Sequence, residues 1–184
     1  MLRQYKELHP EFAFLPRKFK IAISGSPEDR AATFFHDIGV QAVEVDGAMG
    51  WRILVGGGIG RTPRIAAEIR DFLPTEDVVS YVEAILRVYN LHGRRDNKYK
   101  ARIKILVRAW TPAVFAERVE AEWLHIKDGP ATLNGHEIER VKGFFTLPDY
   151  QTLDSAAVDA EVKALATEHK GFSRWLDRNV TEQK

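Results

Sequence analysis

The chain contains no cysteine. Its own residues therefore form no disulfide, no zinc ribbon, no thiol nucleophile and no thiolate set for an iron–sulfur cluster, and such a composition suits a reducing cytoplasm. No run of about 18 apolar residues is present, and the first residues lack the apolar segment of a secretory leader. A soluble, cytoplasmic protein with no membrane partner is expected. Excess charge is missing too: 27 Lys and Arg stand against 26 Asp and Glu, a net charge of +1. Nothing pulls the whole molecule towards nucleic acid or anionic lipid, so any basic site must come from local clustering. Six histidines are spread over the sequence without metal-ligand spacing, so no metal site is predicted. No nucleophile elbow accompanies the serines, and the acids are scattered.

What is there fits one domain with a helical appendage: 184 residues, 45% of them hydrophobic. A chain of this length buries roughly 70% of its unfolded surface and needs no covalent staple. "MLRQYKELHPEF" reads as a short helical lead-in that Pro10 ends or kinks. Lys18–Gly25, Gln41–Asp46 and Gly50–Gly56 read as strands, the last two joined through the hairpin signal "DGAMG". "SPEDRAATFFHDIG" reads as a short helix, with Ser26 as N-cap and Pro27 behind it. "TPRIAAEIRDFL" reads as a helix started by Thr62 and Pro63. "TEDVVSYVEAILRVYNLHG" is the cleanest helix, capped by Thr75 and striped by Val78, Val82, Ile85, Leu86 and Tyr89, with Gly93 as its stop. "TPAVFAERVEAEWL" repeats the Thr-Pro start. "NGHEIERVKGFF", "SAAVDAEVKALATEH" and "GFSRWLDRNV" are weaker helices. Strands first and helices afterwards predict an α+β fold, a small mixed β-sheet covered by helices. The predicted domain spans residues 1–147, with a helical extension over 148–184.

Three stretches can carry chemistry. In "LPRKFKIAISG", alternation puts Phe19, Ile21 and Ile23 on one face and Lys18, Lys20, Ala22 and Ser24 on the other. Its apolar face suggests a central strand, and two adjacent lysines ask for a compensating anion. "GGGIGRTP" is not a dinucleotide fingerprint: Gly56 and Gly58 supply G-x-G, but the third glycine position is Arg61, and no P-loop Lys-Ser/Thr follows. It is either a tight turn needing positive φ or a close-approach loop with an anion at the following helix end. "GRRDNKYKARIKILVRAW" sets seven cations against the single acid Asp96. Read as one helix, it lines Tyr99, Ile103, Leu106 and Trp110 on an apolar face. Arg95, Lys98 and Arg102 lie on its shoulder, and Lys100, Lys104 and Arg108 point to solvent. The shoulder cations either snorkel or meet a multi-anionic ligand.

"LPRKFKIAISG", "HDIG", "WRILVGGGIGRTP" and "EAILRVYNLHGRRDNKYKARIKILV", in that order, resemble the sulfite/nitrite reductase hemoprotein family. The resemblance runs from about Leu15 to Trp123; the tail beyond about Pro130 resembles only a subset of bacterial members. It implies a siroheme-binding α/β domain, the first of a pair. It also implies multi-electron reduction of sulfite to sulfide, or of nitrite, by siroheme coupled to a 4Fe-4S cluster. By the resemblance Lys18 and Lys20 contact the oxyanion and supply protons, and Arg17 lies beside the macrocycle. Gly56, Gly57 and Gly58 form the loop close to siroheme, and Arg95, Asn97, Lys98 and Arg102 match its carboxylate partners. The pocket anions would then compensate the paired lysines. Lys20, where nitrite-specialised members tend to carry Asn, leans towards sulfite.

The family's cluster cysteines have no counterpart here. The resemblance therefore implies an excised middle segment, inactive alone, whose partners are the missing N- and C-terminal halves and an electron donor, a flavoprotein or ferredoxin. The competing reading of the basic run is a nucleic-acid-binding patch interleaved with Tyr99 and Trp110. The near-neutral net charge and the core spacing of the apolar residues weigh against it.

Overall fold

The computed structural model describes residues 9–26 and 28–181, so most of the lead-in, and Pro27, lie outside the described residues. Four strands, β1 (Ile21–Ser24), β2 (Ile38–Val45), β3 (Ala48–Val55) and β4 (Ala67–Leu73), form one sheet in that order. β1 runs parallel to β2, and the other pairs are antiparallel. The sheet is therefore mixed, as expected. The β2–β3 turn is Asp46-Gly47, with φ of 51° and 79°. Both residues at positive φ are what a two-residue hairpin demands, and Asp-Gly adopts this readily.

Helix α1 (Val78–His92) covers one face of the sheet, and its predicted stripe is buried with Ile38, Val40, Ile53 and Val55 in one core. α2 (Ile103–Trp110) and α3 (Pro112–Ile126) complete that side, and α4 (Gly135–Lys142) follows. α3 packs on the other flank of α1: Tyr81 donates to Glu120 at 2.6 Å, and the Trp123 indole donates to Ser80 at 3.0 Å. Thr111 caps α3 as predicted, accepting from the Val114 N–H.

Several expectations are corrected. β1 is an edge strand, not a central one; it starts at Ile21, and Ile23 is 48% exposed although it shares the core face with Val40. A parallel pair needs a long crossover. Residues 25–37 provide it, but among the described residues there only Thr33–Phe35 is helical, as a 3-10 turn. Ser26 accepts from Glu28 N and Asp29 from Thr33 N, while Ala32 sits at φ 54°. Local side-chain bonds thus replace helical ones. The crossover packs on the sheet face away from α1, where a Cβ on Gly39 would lie 2.6 Å from the Thr33 carbonyl.

The expected helix after Thr62 is strand β4. Ile69 and Leu73 suit either period, and the open edge of β3 decides between them, because tertiary pairing overrides a weak propensity. Register shifts opposite Trp51–Leu54 bring Arg70 across from Ile53, where it reaches Glu120 at 3.0 Å. Pro10 opens a 3-10 turn, Pro10–Phe14; the expected helical lead-in before it lies outside the described residues. Thr75 makes no side-chain cap; its hydroxyl accepts from Trp51 at 3.1 Å. Gly93 follows α1 at φ −65°, not left-handed; a Cβ there would meet the Pro16 ring at 2.7 Å.

The chain divides into two compact units, Met1–Val141 and Lys142–Lys184. In the second, α5 (Ser155–Glu168) is capped by Asp154, which accepts from Ala156 and Ala157, and α6 (Lys170–Asn179) stacks Phe172 on Trp175. Among the described residues, no helix is long and apolar enough to cross a membrane.

Burial of the β3 core face predicts unequal costs for two isoleucines. Ile53→Ala, at a fully buried position, should cost about 2–5 kcal/mol in urea unfolding, and Ile65→Ala, 69% exposed, under about 0.5 kcal/mol.

Candidate functional site

Asp37, the last residue before β2, is fully buried. Its carboxylate accepts from the Lys20 N–H at 2.9 Å. It also takes the Arg102 fork, Nε on Oδ1 at 2.8 Å and Nη2 on Oδ2. Its carbonyl accepts from the Gly56 N–H at 2.9 Å. One residue thus joins the segment before β1, the glycine loop and the N-terminus of α2. Donating to the Asp37 carboxylate holds the Arg102 pKa above its ordinary value.

A second node lies on Tyr89 of α1. Its hydroxyl sits 2.7 Å from the Ala101 carbonyl and 3.1 Å from the Arg17 carbonyl. Burial pushes its pKa up to about 12, offset in part by the backbone contact at Arg17. The Arg17 guanidinium in turn donates to the Lys98 carbonyl and lies over the Tyr99 ring, with its carbon 5.8 Å from the centroid. The Lys98 ammonium approaches the same ring at 5.3 Å. Arg17, Lys98 and Tyr99 therefore form one cation–π cluster.

The basic run is not a single helix. Asn97 caps the Lys98–Lys100 3-10 turn, and Arg102 is extended at φ −73°, ψ 155°. Arg94 pairs with Asp96 two positions on, a spacing that does not face itself on a helix. The helical-face expectation is corrected accordingly. Ile103 and Leu106 are buried and Trp110 packs against the core, but Tyr99 is 78% exposed. Lys104, expected in solvent, is buried, and its ammonium donates to the Thr62 carbonyl at 2.7 Å. Arg95 is held by the Phe14 carbonyl at 2.8 Å and by Asn90.

The three loop glycines are buried against the protein itself. Gly56 has φ +84° beside Val107, so positive φ is needed there. A Cβ on Gly57 would lie 2.5 Å and 2.6 Å from the Phe34 and His36 carbonyls, and one on Gly58 would touch the Lys104 stem. Paired backbone bonds between Gly58 and Arg64 close the loop, which leads into β4. The anion-binding helix end expected at Thr62 is absent: that carbonyl serves Lys104.

Lys18 and Lys20 are exposed, and among the described residues neither ammonium has an ion-pair or hydrogen-bond partner. The structure thus brings Lys20, Arg102 and Gly56 together through Asp37, and Arg17 and Lys98 together through Tyr99. Asn97 and Arg95 serve the backbone around them. The sequence reading missed Asp37, Tyr89 and the role of Lys104. An acid set immediately before an apolar strand was the one available signal.

Comparison with known proteins bears on what these exposed cations serve. Residues 1–127 match the family described as "Nitrite and sulphite reductase 4Fe-4S domain". Sulfite reductase [ferredoxin] 1 of Mycolicibacterium paratuberculosis is 36% identical over 126 residues, covering 67% of this chain and 22% of that protein. The assimilatory ferredoxin-dependent nitrite reductase of Haloferax mediterranei is 35% identical over 116 residues, 60% of this chain and 20% of that protein. Among solved structures, the NirA protein of Mycobacterium tuberculosis superposes with a TM-score of 0.60 at 27% identity, over 83% of this chain and 26% of that one. The chain spans about a quarter or less of the length of these relatives.

The two nodes give two measurable expectations. Gly57→Ala drives a methyl into backbone carbonyls and should lower the unfolding free energy by about 2 kcal/mol or more, read in urea. Tyr89 keeps its proton in the fold beyond its ordinary pKa of 10.0. Between pH 10 and about 12 the unfolded chain ionises first, so stability should fall as pH rises through that window. Tyr89→Phe should flatten that decline in thermal melts.

Proposed function

Because this chain belongs to the nitrite and sulphite reductase 4Fe-4S domain family, we propose that it is part of a siroheme-dependent reductase. It supplies the cations that hold sulfite or nitrite beside the cofactor. The observation that carries this reading is the state of Lys18 and Lys20: exposed, unpaired among the described residues, and borne on backbone that the buried Asp37 anchors at Lys20.

The residues fit a polycarboxylate macrocycle in part. Arg17 and Lys98 form a half-exposed cationic cluster without a carboxylate partner among the described residues. Arg102 and Arg95 are largely committed inside the chain. The cofactor-holding set is therefore Arg17 and Lys98; the loop glycines are packed against the protein itself. The chemistry siroheme supplies when bound is electron delivery to the anion. Lys18 and Lys20 bind the anion, offset its charge and offer ammonium protons to oxygen that gains negative charge. The chain has no cysteine, so the ligands of a 4Fe-4S cluster come from elsewhere in such an enzyme, and these residues alone do not complete the reaction. Among the oxyanions, Lys20 favours sulfite, since a dianion gains more than a monoanion from a second ammonium. The ferredoxin named in the relatives is the donor class that goes with this reading.

Titration of the full chain with sodium sulfite, followed by amide chemical shifts, tests the proposal. Shifts should centre on Lys18 and Lys20 and saturate in the millimolar range, roughly −4 kcal/mol. Lys18→Ala and Lys20→Ala should each weaken binding about fivefold, roughly 1 kcal/mol. Shifts spread evenly over all surface cations, and unchanged by both substitutions, would remove these lysines from the site.

A further inference from the structure

We infer that Asp37 is the positioning residue of this site: its carboxylate fixes the backbone from which Lys20 projects and occupies Arg102, so that Lys20, not Arg102, faces the anion. The inference rests on the reading of Lys20 as an anion-binding residue.

Lys20 precedes β1, and its N–H takes no part in a strand ladder. That N–H is held by the Asp37 carboxylate at 2.9 Å, and the Lys20 carbonyl accepts from Ile38 N at 3.1 Å. The peptide groups on both sides of the Lys20 Cα are thereby tied to the start of β2, and the origin of the side chain has no freedom left. Asp37 is itself 0% exposed and cannot swing out to water. The guanidinium of Arg102 directs Nε and Nη2 at the same carboxylate. Its charge is matched there, and only the outward N–H groups on Nη1 and Nη2 remain for any other acceptor. The carbonyl of Asp37 receives the Gly56 N–H at 2.9 Å, so the glycine loop is set from the same residue. Asp37 touches no substrate. It acts through Lys20 and by keeping Arg102 from competing for the anion.

Asp37→Asn keeps one acceptor but presents an NH2 group to a guanidinium that can only donate. The arm of the Arg102 fork that faces the NH2 group is repelled, and the displaced guanidinium then competes with the Lys20 N–H for the one amide oxygen. Combining it with Arg102→Gln gives the Asn amide an acceptor again, so its Oδ1 can return to Lys20. The experiment uses the full chain and two readouts. In the unaltered protein, the Lys20 amide should exchange with solvent at least tenfold more slowly than that of Lys18, which no hydrogen bond among the described residues protects. Under sodium sulfite, Asp37→Asn should weaken the response at Lys20 at least threefold with the far-ultraviolet circular dichroism unchanged, and the double variant should recover to within about twofold. A folded Asp37→Asn protein with unaltered sulfite affinity at Lys20 overturns the inference. So does a Lys20 amide that exchanges at the rate of an open loop. If Asp37→Asn alone does not fold, the double variant decides: recovery of the sulfite response supports positioning, and a folded double variant without it overturns it. Should the double variant not fold either, the exchange rate of Lys20 decides. Failure of the unaltered protein to respond to sulfite would instead refute the function proposed for Lys20, and the exchange of the Lys20 amide would still report separately on the hold of Asp37.

Discussion

A carboxylate removed from water must find donors for its lone pairs within the protein, because an uncompensated buried charge costs several kcal/mol. Asp37 meets that requirement by drawing in three segments far apart in sequence: the Lys20 amide, the Arg102 fork and, through its carbonyl, the Gly56 amide. None of the three lies in regular secondary structure with the others. Without the carboxylate, the Lys20 amide and the Arg102 guanidinium would lose their common partner, and the approach to β1 would be joined to the stretch before α2 through Tyr89 and the Arg17–Lys98 bond alone among these polar links. The site is thus organised around an anion that belongs to the protein, and its exposed lysines are what that anion leaves uncompensated.

The layers beneath the site make this burial possible. α1 is held between the sheet and α3, with Tyr81 and Ser80 bonded to Glu120 and Trp123. Its C-terminal Tyr89 reaches past the core to tie Ala101 and Arg17 together. The crossover between β1 and β2 covers the opposite sheet face, and the glycine loop lies against it so closely that Gly57 tolerates no side chain. Lys104 fills the space that Gly58 leaves and holds the Thr62 carbonyl. A cation expected in solvent thus closes the loop from within, its stem providing apolar cover and its head a donor.

Much of this fold is legible in the amino-acid order because it depends on local patterns. The Asp46-Gly47 turn, the apolar stripe of α1 and the Thr111-Pro112 start of α3 each follow from residues within a few positions of one another. The four motif segments were legible as a resemblance, and the family they indicated is the family to which the chain belongs.

Other features were settled only by residues meeting from a distance. Residues 67–73 have apolar positions that suit a helix or a strand, and the unpaired edge of β3 made them a strand. Residues 94–102 read as the start of a helix, yet Asn97, the Arg94–Asp96 pair and the hold of Tyr89 on Ala101 delay α2 until Ile103. Arg102 read as a cation waiting for a ligand, and its partner stood 65 positions earlier. Periodicity and turn chemistry act over a few residues and are written in the sequence directly. Which buried charge finds which partner, and which strand edge is left open, depends on the folded chain bringing remote groups within hydrogen-bond distance.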